Sequence, residues 1–257
     1  MVAHDDPRSA WYERLADVFV YPDAGYVTRV ERAAESLRPR HPGAAARLDG
    51  FARELPRGEG AADGAAALHE LQEIYTRSFE VQAITTLDVG YVCFGDDYKR
   101  AEVLVHLNDE HRRAGVECGT ELSDHLPNVL RLVARWADRA LAEELVHELL
   151  LPAVRQMVAE FAPARMKERD ALYRRHHKTL IDTSAARATI FERPLRALAE
   201  VLEADFGAVV RAPPAQSADF LRSLGRELDI EANGAGRRPS AALAEGLARR
   251  PSPRPVG

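Results

Sequence analysis

The sequence predicts an all-α protein: a single globular domain of about eight or nine helices followed by a mobile C-terminal tail. Three observations lead there. Apolar residues recur at helical spacing in nine successive segments. Proline and glycine fall mostly between those segments rather than inside them. Strand-like composition is confined to residues 81–94, and a lone strand has no partner to pair with. The chain has 257 residues, enough for one large domain with extensions and a core that needs no disulfide staples.

In order, Trp11, Leu15, Val18 and Phe19 mark a first helix, with Ser9 as its expected N-cap and Tyr21-Pro22-Asp23 as its stop. Val27, Val30, Ala34 and Leu37 mark a second, closed by Pro39. An Ala-rich third helix is expected over 43–55, and the Gly-rich run 56–64 reads as a loop. Leu68, Leu71, Tyr75 and Phe79 define a helix over 65–79. Residues 81–94 read as a buried connector or an irregular short helix. A charged helix follows over 97–114, with Ala101, Leu104, Leu107 and His111 on one face and Gly115 at its end.

The strongest amphipath runs from Leu122 through Leu126, Val129, Leu130 and Val133 to Ala137. Ser123 or Asp124 is its expected cap, with Pro127 in the first turn, where proline is tolerated. The segment 140–161 is helical with Pro152 inside, so a kink or split is expected there. Two further helices are expected over 166–182 and 187–205. Residues 1–206 thus form the helical domain. Residues 207–257 are an extension with one possible short helix over 219–230, then an Arg/Pro/Gly/Ala-rich tail too poor in apolar surface to offset its ordering entropy.

Charge divides the chain the same way. The net charge is −5, from 35 basic and 40 acidic residues. Residues 231–257 carry five arginines against two glutamates, a net of +3, which leaves −8 for the rest. An acidic body disfavours nucleic acid, whose binding rests on Lys and Arg, and favours a basic peptide partner. Cys93 and Cys118 are too few and too far apart for a disulfide framework or a paired metal motif. There is no signal-like N-terminus and no apolar run near the ~18 residues needed to cross a bilayer. A soluble, cytoplasmic protein without stable membrane insertion is the expectation, as a monomer or a domain-swapped dimer.

Chemistry-bearing motifs are sparse. Glu144 and His147 form one ExxH, and Glu102, His106 and Glu110 lie in a row at i, i+4, i+8. A carboxylate-bridged di-iron bundle needs two ExxH motifs and two further glutamates, so the row reads as a solvated helix face and no metal or cofactor is expected. His176-His177 sits among Arg174, Arg175 and Lys178, and reads as a surface basic patch. No nucleophile elbow or phosphate loop is present, and Cys93 lies in an apolar context, so no enzyme activity is expected.

What stands out is the run from Thr86 to Leu130, where charges gather at element ends: Gly95-Asp96-Asp97-Tyr98-Lys99-Arg100, then Glu121-Leu122-Ser123-Asp124-His125-Leu126-Pro127. Together with Thr86-Leu87, Leu130 and Tyr21-Pro22-Asp23, these residues resemble the nitrate reductase delta-subunit and TorD-like family of molybdoenzyme assembly chaperones over roughly residues 10–205. Ala101 and Arg131 stand where that family often has glycine and an acidic residue. The resemblance implies an all-helical, non-enzymatic chaperone. It would bind the N-terminal leader, often a twin-arginine one, of an apo catalytic subunit and hold it for molybdenum cofactor insertion. Asp124, His125, Glu121, Asp96, Asp97, Leu126 and Pro127 would line or border the peptide groove, and Lys99-Arg100 would be the family's basic pair. The alternatives left open are a helical metalloenzyme built on Glu144, His147, Glu102 and His106, and a structural subunit retained in the mature complex.

Overall fold

A computed structural model describes residues 7–176, 187 and 189–207. The expectations for 208–257, including the short helix over 219–230 and the tail, and for the His177 end of the basic patch lie outside the described residues. The described residues form α1 (Pro7–Ala16), α2 (Tyr26–Leu37), α3 (Pro42–Glu54), α4 (Gly60–Phe79), α5 (Val89–Phe94), α6 (Tyr98–Ala114) and α7 (Leu126–Arg135). They continue with α8 (Arg139–Leu145), a π-helical turn (Val146–Leu150), α9 (Leu151–Glu160), α10 (Pro163–His176) and α11 (Glu192–Phe206). Counting α8, the π turn and α9 as one continuous rod gives ten helices among the described residues. The tenth is α5, in the segment with strand-like composition.

Packing runs in a closed circuit. α1 lies against α7 and α2, α2 against α3, α3 against α11, α11 against α9, α9 against α5, α5 against α6, and α6 against α7. One apolar cluster fills the interior, from Leu15 and Phe19 through Leu48, Leu130 and Met157 to Leu198 and Val201. Its aromatic centre is Phe191, the N-cap of α11. Its ring meets Phe51 at 5.2 Å, Tyr75 at 5.6 Å and Phe79 at 5.0 Å. These tilted and edge-on contacts suit ring quadrupoles and tie α3, α4 and α11 to one point. A second tie closes the ends. Asp205 accepts hydrogen bonds from Trp11 Nε1 (3.2 Å) and the Tyr12 hydroxyl (2.8 Å), and His41 Nε2 lies 3.2 Å away.

Several boundaries differ from the sequence expectation, each for a local reason. α1 begins at Pro7, so Ser9 is inside it rather than capping it, and Val18 and Phe19 are buried in the following turn. α4 begins at Gly60, inside the run read as a loop. Ala61 and Ala62 are strong helix formers, and Asp63 in the first turn complements the dipole. α7 begins at Leu126 with His125 as N-cap and no side-chain cap, so neither Ser123 nor Asp124 caps it. α10 begins at Pro163, earlier than expected, while the 177–182 part of that expectation lies outside the described residues, and α11 begins later than expected, at Glu192.

Pro152 does not split the run, which passes through a π turn just before it. The amide of Leu151, the residue immediately before the proline that lacks a donor, donates to the Val146 carbonyl five residues back. Residues 81–94 are a mostly buried connector (Ala83, Ile84, Thr85, Leu87) leading into the short α5. Their sole ladder-like pairing is an isolated antiparallel bridge between Asp88 and His125.

Candidate functional site

The bridge fixes the geometry of the unusual motif run. The Val89 amide donates to the Asp124 carbonyl at 2.9 Å, and the Leu126 amide to the Leu87 carbonyl at 2.8 Å. The start of α5 and the start of α7 are thereby held side by side. Across this junction reaches Arg100 from the first turn of α6. Its Nε donates to Asp124 Oδ2 at 3.0 Å and its Nη2 to Asp88 Oδ2 at 3.0 Å. His125 Nδ1–H completes the set, donating to Asp88 Oδ1 at 3.2 Å. The Tyr91 ring lies under the guanidinium, 5.1 Å from centroid to Cζ. We call Asp88, Arg100, Asp124 and His125 the clasp.

Burial sets the electrostatics of the clasp. Asp124 is fully buried, and its Oδ1 has no hydrogen-bond partner among the described residues. Burial pushes its carboxyl above the usual range despite Arg100 beside it. Asp88 goes the other way: burial raises it, but the hydrogen bond and charge of His125, with Arg100, hold it below the usual range. For Arg100, burial works against the charge and the two carboxylates outweigh it.

Gly90 on α5 belongs to this arrangement. A Cβ there would sit 2.7 Å from Asp124 Oδ2 and 3.3 Å from Arg100 Cγ, so the helix can approach the ion pair only without a side chain. The loop before α7 is tied down further. His111 Nε2–H donates to the Ser123 carbonyl (3.0 Å), the Ser123 hydroxyl to the Leu104 carbonyl (3.2 Å), and Asn128 Nδ2 to the Cys118 and Leu122 carbonyls.

Above the clasp is a surface of different character. Among the described residues the exposed large apolar side chains are Tyr21 (49%), Val81 (48%), Tyr98 (68%), Val105 (61%) and Leu122 (49%). All lie on α6 or on the loops before α2, after α4 and before α7. α6 buries only Leu107 and His111, so Ala101 and Leu104 do not form the buried face expected for the first half of that helix. The same helix and the segments flanking it, after α4 and before α7, also carry the exposed carboxylates Glu80, Asp96, Asp97, Glu102 and Glu121. None of the five has an ion-pair partner among the described residues, whereas Asp109 and Glu110 further along α6 pair with Arg112 and Arg113.

Tyr75 marks where the loops converge. Its hydroxyl donates to the Phe19 carbonyl at 2.9 Å, and its ring meets Tyr21 edge-on at 5.4 Å. Burial first, then the charges of Glu80 and Glu121, with Tyr21 and Asp88, drive its hydroxyl well above its ordinary pKa. The acids on the α4 end and on the loop before α7 are thus near enough for their charges to act on the Tyr75 hydroxyl.

The residues singled out from the sequence divide into two groups. Asp124, Leu126 and Pro127 are buried, so they hold the surface up from beneath rather than bordering it. His125 is half-buried in the clasp together with Arg100. Asp96, Asp97, Lys99 and Glu121 are exposed, and Asp97 also caps α6 by accepting from the Lys99 amide at 3.0 Å. Asp88, Gly90, Tyr21, Tyr75 and Glu80 were not singled out as site residues. A signal for Asp88 existed: an acid inside an otherwise apolar segment must be paired once that segment is buried.

Glu144 and the Glu102/His106 row are exposed, and His147 Nε2–H donates to the Phe206 carbonyl at 2.9 Å. Among the described residues no group of three or more His, Cys, Asp or Glu side chains is placed to hold a metal ion. Cys93 is buried, its thiol pushed up to about 12. Among the described residues no helix is long and apolar enough to cross a membrane. The class these features define is an all-helical protein presenting an acidic and apolar surface over a buried ion-pair clasp. No family model matches the chain, and neither the curated proteins nor the solved structures contain a match to it.

Proposed function

We propose that the protein is an assembly chaperone. In this reading it holds the basic and apolar N-terminal segment of an apo catalytic subunit, of the molybdenum-containing oxidoreductase class, until cofactor insertion is complete. The observation that carries the reading is the surface around α6, where unpaired carboxylates accompany exposed Tyr21, Val81, Tyr98, Val105 and Leu122. A twin-arginine leader has the complementary composition, charged guanidinium groups beside an apolar stretch. Opposite charges speed encounter and set orientation, while apolar contacts supply the holding energy. The molybdoenzyme client itself rests on the motif resemblance from Thr86 to Leu130. The reading assigns no catalytic step, and the partner is a protein segment rather than a nucleic acid or a membrane.

The direct experiment is binding of the client subunit with and without its leader, together with titration of the isolated leader peptide. Loss of binding on leader removal is expected, with a peptide affinity that falls as salt rises. The double variant Glu80→Gln, Glu121→Gln should weaken the peptide about three- to thirtyfold, at roughly 0.3–1 kcal/mol per exposed charge, with an unchanged melting temperature. Undiminished binding without the leader would remove the proposal.

A further inference from the structure

Near the C-terminal end of α4 is a feature that peptide capture does not use. Arg77, in the last turn of α4, and Arg169, in the middle of α10, are both buried, at 7% and 1% exposure. Both point at the same carboxylate oxygen. Arg77 Nη2 lies 3.1 Å and Arg169 Nη2 3.3 Å from Asp170 Oδ1. Among the described residues, two guanidinium groups against one carboxylate leave a net positive charge out of water. Arg77 Nη1, Arg169 Nε and Arg169 Nη1 are also buried with no hydrogen-bond partner among the described residues.

Buried charged donors are normally paired, because an unpaired one forfeits its hydration without replacement. A lysine in this position can shed its proton, but a guanidinium keeps its charge throughout the working pH range. The repulsion is visible in Arg169, which burial and then the neighbouring Arg77 push down, with Asp170 only partly opposing them. Each guanidinium thus gives its Nη2 to Asp170 and keeps at least one further donor unserved, and guanidinium N–H groups suit the oxygens of a carboxylate or a phosphate.

We infer that Arg77 and Arg169, gated by Asp170, form a binding site for a small free oxyanion. Asp170 is the half-buried member, at 31% side-chain exposure, and it also lines a cavity of about 580 Å³ between the end of α9, the start of α10 and the start of α11. Lys167 and Arg196 stand on the cavity wall, with Glu192 as counter-charge. An anion enters past Asp170 and takes the donors that the single carboxylate leaves unserved. The arginines lie beneath the surface, so the occupant is an ion of a few atoms rather than a protein side.

The test is calorimetry and thermal melting of the full chain with sodium phosphate, acetate and chloride at matched ionic strength. Phosphate, acetate or both should bind with measurable heat and raise the melting temperature with the logarithm of concentration, while chloride does neither. A response to phosphate alone assigns a phosphoryl group, and a response to both assigns the general oxyanion. Asp170→Asn removes the competing carboxylate and should tighten the anion at least threefold. Arg169→Met should weaken it at least tenfold. If that variant fails to fold, Arg77→Lys, which keeps the charge and loses the fork, should weaken it instead. Equal responses to all three salts in the wild type mean that solvent serves these donors, which overturns the inference, as does an Asp170→Asn variant that binds no tighter.

Discussion

Asp124→Ala removes the deeper carboxylate of the clasp and leaves Arg100, only 15% exposed in its side chain, with Asp88 alone. Breaking a buried ion pair from one side typically costs about 3–5 kcal/mol, because the surviving charge stays buried and unpaired. Here the survivor keeps the 3.0 Å contact to Asp88 and the Tyr91 ring at 5.1 Å, so the low end applies, about 3 kcal/mol. For a domain of this size about 2–4 °C accompanies each kcal/mol, which gives a fall of roughly 6–12 °C.

Thermal and urea denaturation followed by far-UV circular dichroism measure this directly. Arg100→Met and the double variant complete a thermodynamic cycle. The double variant should be less destabilised than the sum of the singles by about 1–3 kcal/mol, since removing both charges abolishes the uncompensated one. Leader binding, measured well below both melting points, should change less for Asp124→Ala than for the Glu80/Glu121 double variant. An Asp124→Ala protein that melts with the wild type, or one that loses peptide binding with its stability intact, would refute the structural role assigned to the clasp.

Gly90→Ala gains about 1 kcal/mol of helix propensity yet places a Cβ 2.7 Å from a fully buried carboxylate oxygen, so a net loss of about 1–3 kcal/mol is expected in the same melts. An unchanged or raised melting temperature would show that the ion pair shifts freely. Asp88 has a depressed folded pKa, so its stabilising contribution is present above its ordinary value of 3.8 and is lost as pH falls through the lower folded value. Asp88→Asn should therefore flatten the stability–pH curve below about pH 4 and lower the plateau above it, read from urea midpoints between pH 2.5 and 6. Asp124, with its raised pKa, has the opposite sign and should persist in that variant as a gain in stability on acidification. Phe191→Ala empties the centre of the ring cluster and should cost about 3–5 kcal/mol, enough to show as a large shift in urea midpoint.

Nearly all helices were legible in the sequence, because burial of a helix writes itself into the 3.6-residue spacing of its apolar side chains. α7 shows this most clearly: Leu126, Val129, Leu130 and Val133 are all buried. Ends were less legible. Gly60 and Gly64 read as a loop, yet the intervening Ala-rich stretch is helical, since a glycine raises the cost of a helix without forbidding it. α5 was masked by β-branched and aromatic residues whose preference is for a half-buried, pleated surface. With Val89, Val92 and Cys93 buried and Tyr91 and Phe94 partly so, they pack as well in a six-residue helix. Within the motif run the sequence does not separate the buried charges from the exposed ones. Asp124 and Glu121 differ by three positions, and one is fully buried while the other is exposed.

By itself, then, the sequence determined an all-helical chain, the order of its elements, a helix irregularity next to Pro152, and the segment where its unusual charges gather. These follow from local propensity and short-range periodicity, which a single chain carries within about twenty residues. Only the tertiary structure decided which charges face water. Arg100 meets carboxylates 12 and 24 positions away, and Arg77 meets Asp170 across 93 positions. What a charged side chain does depends on how much water the packing removes from it and on which opposite charge the packing brings near. Both are properties of elements distant in sequence, and neither is carried by the residue alone.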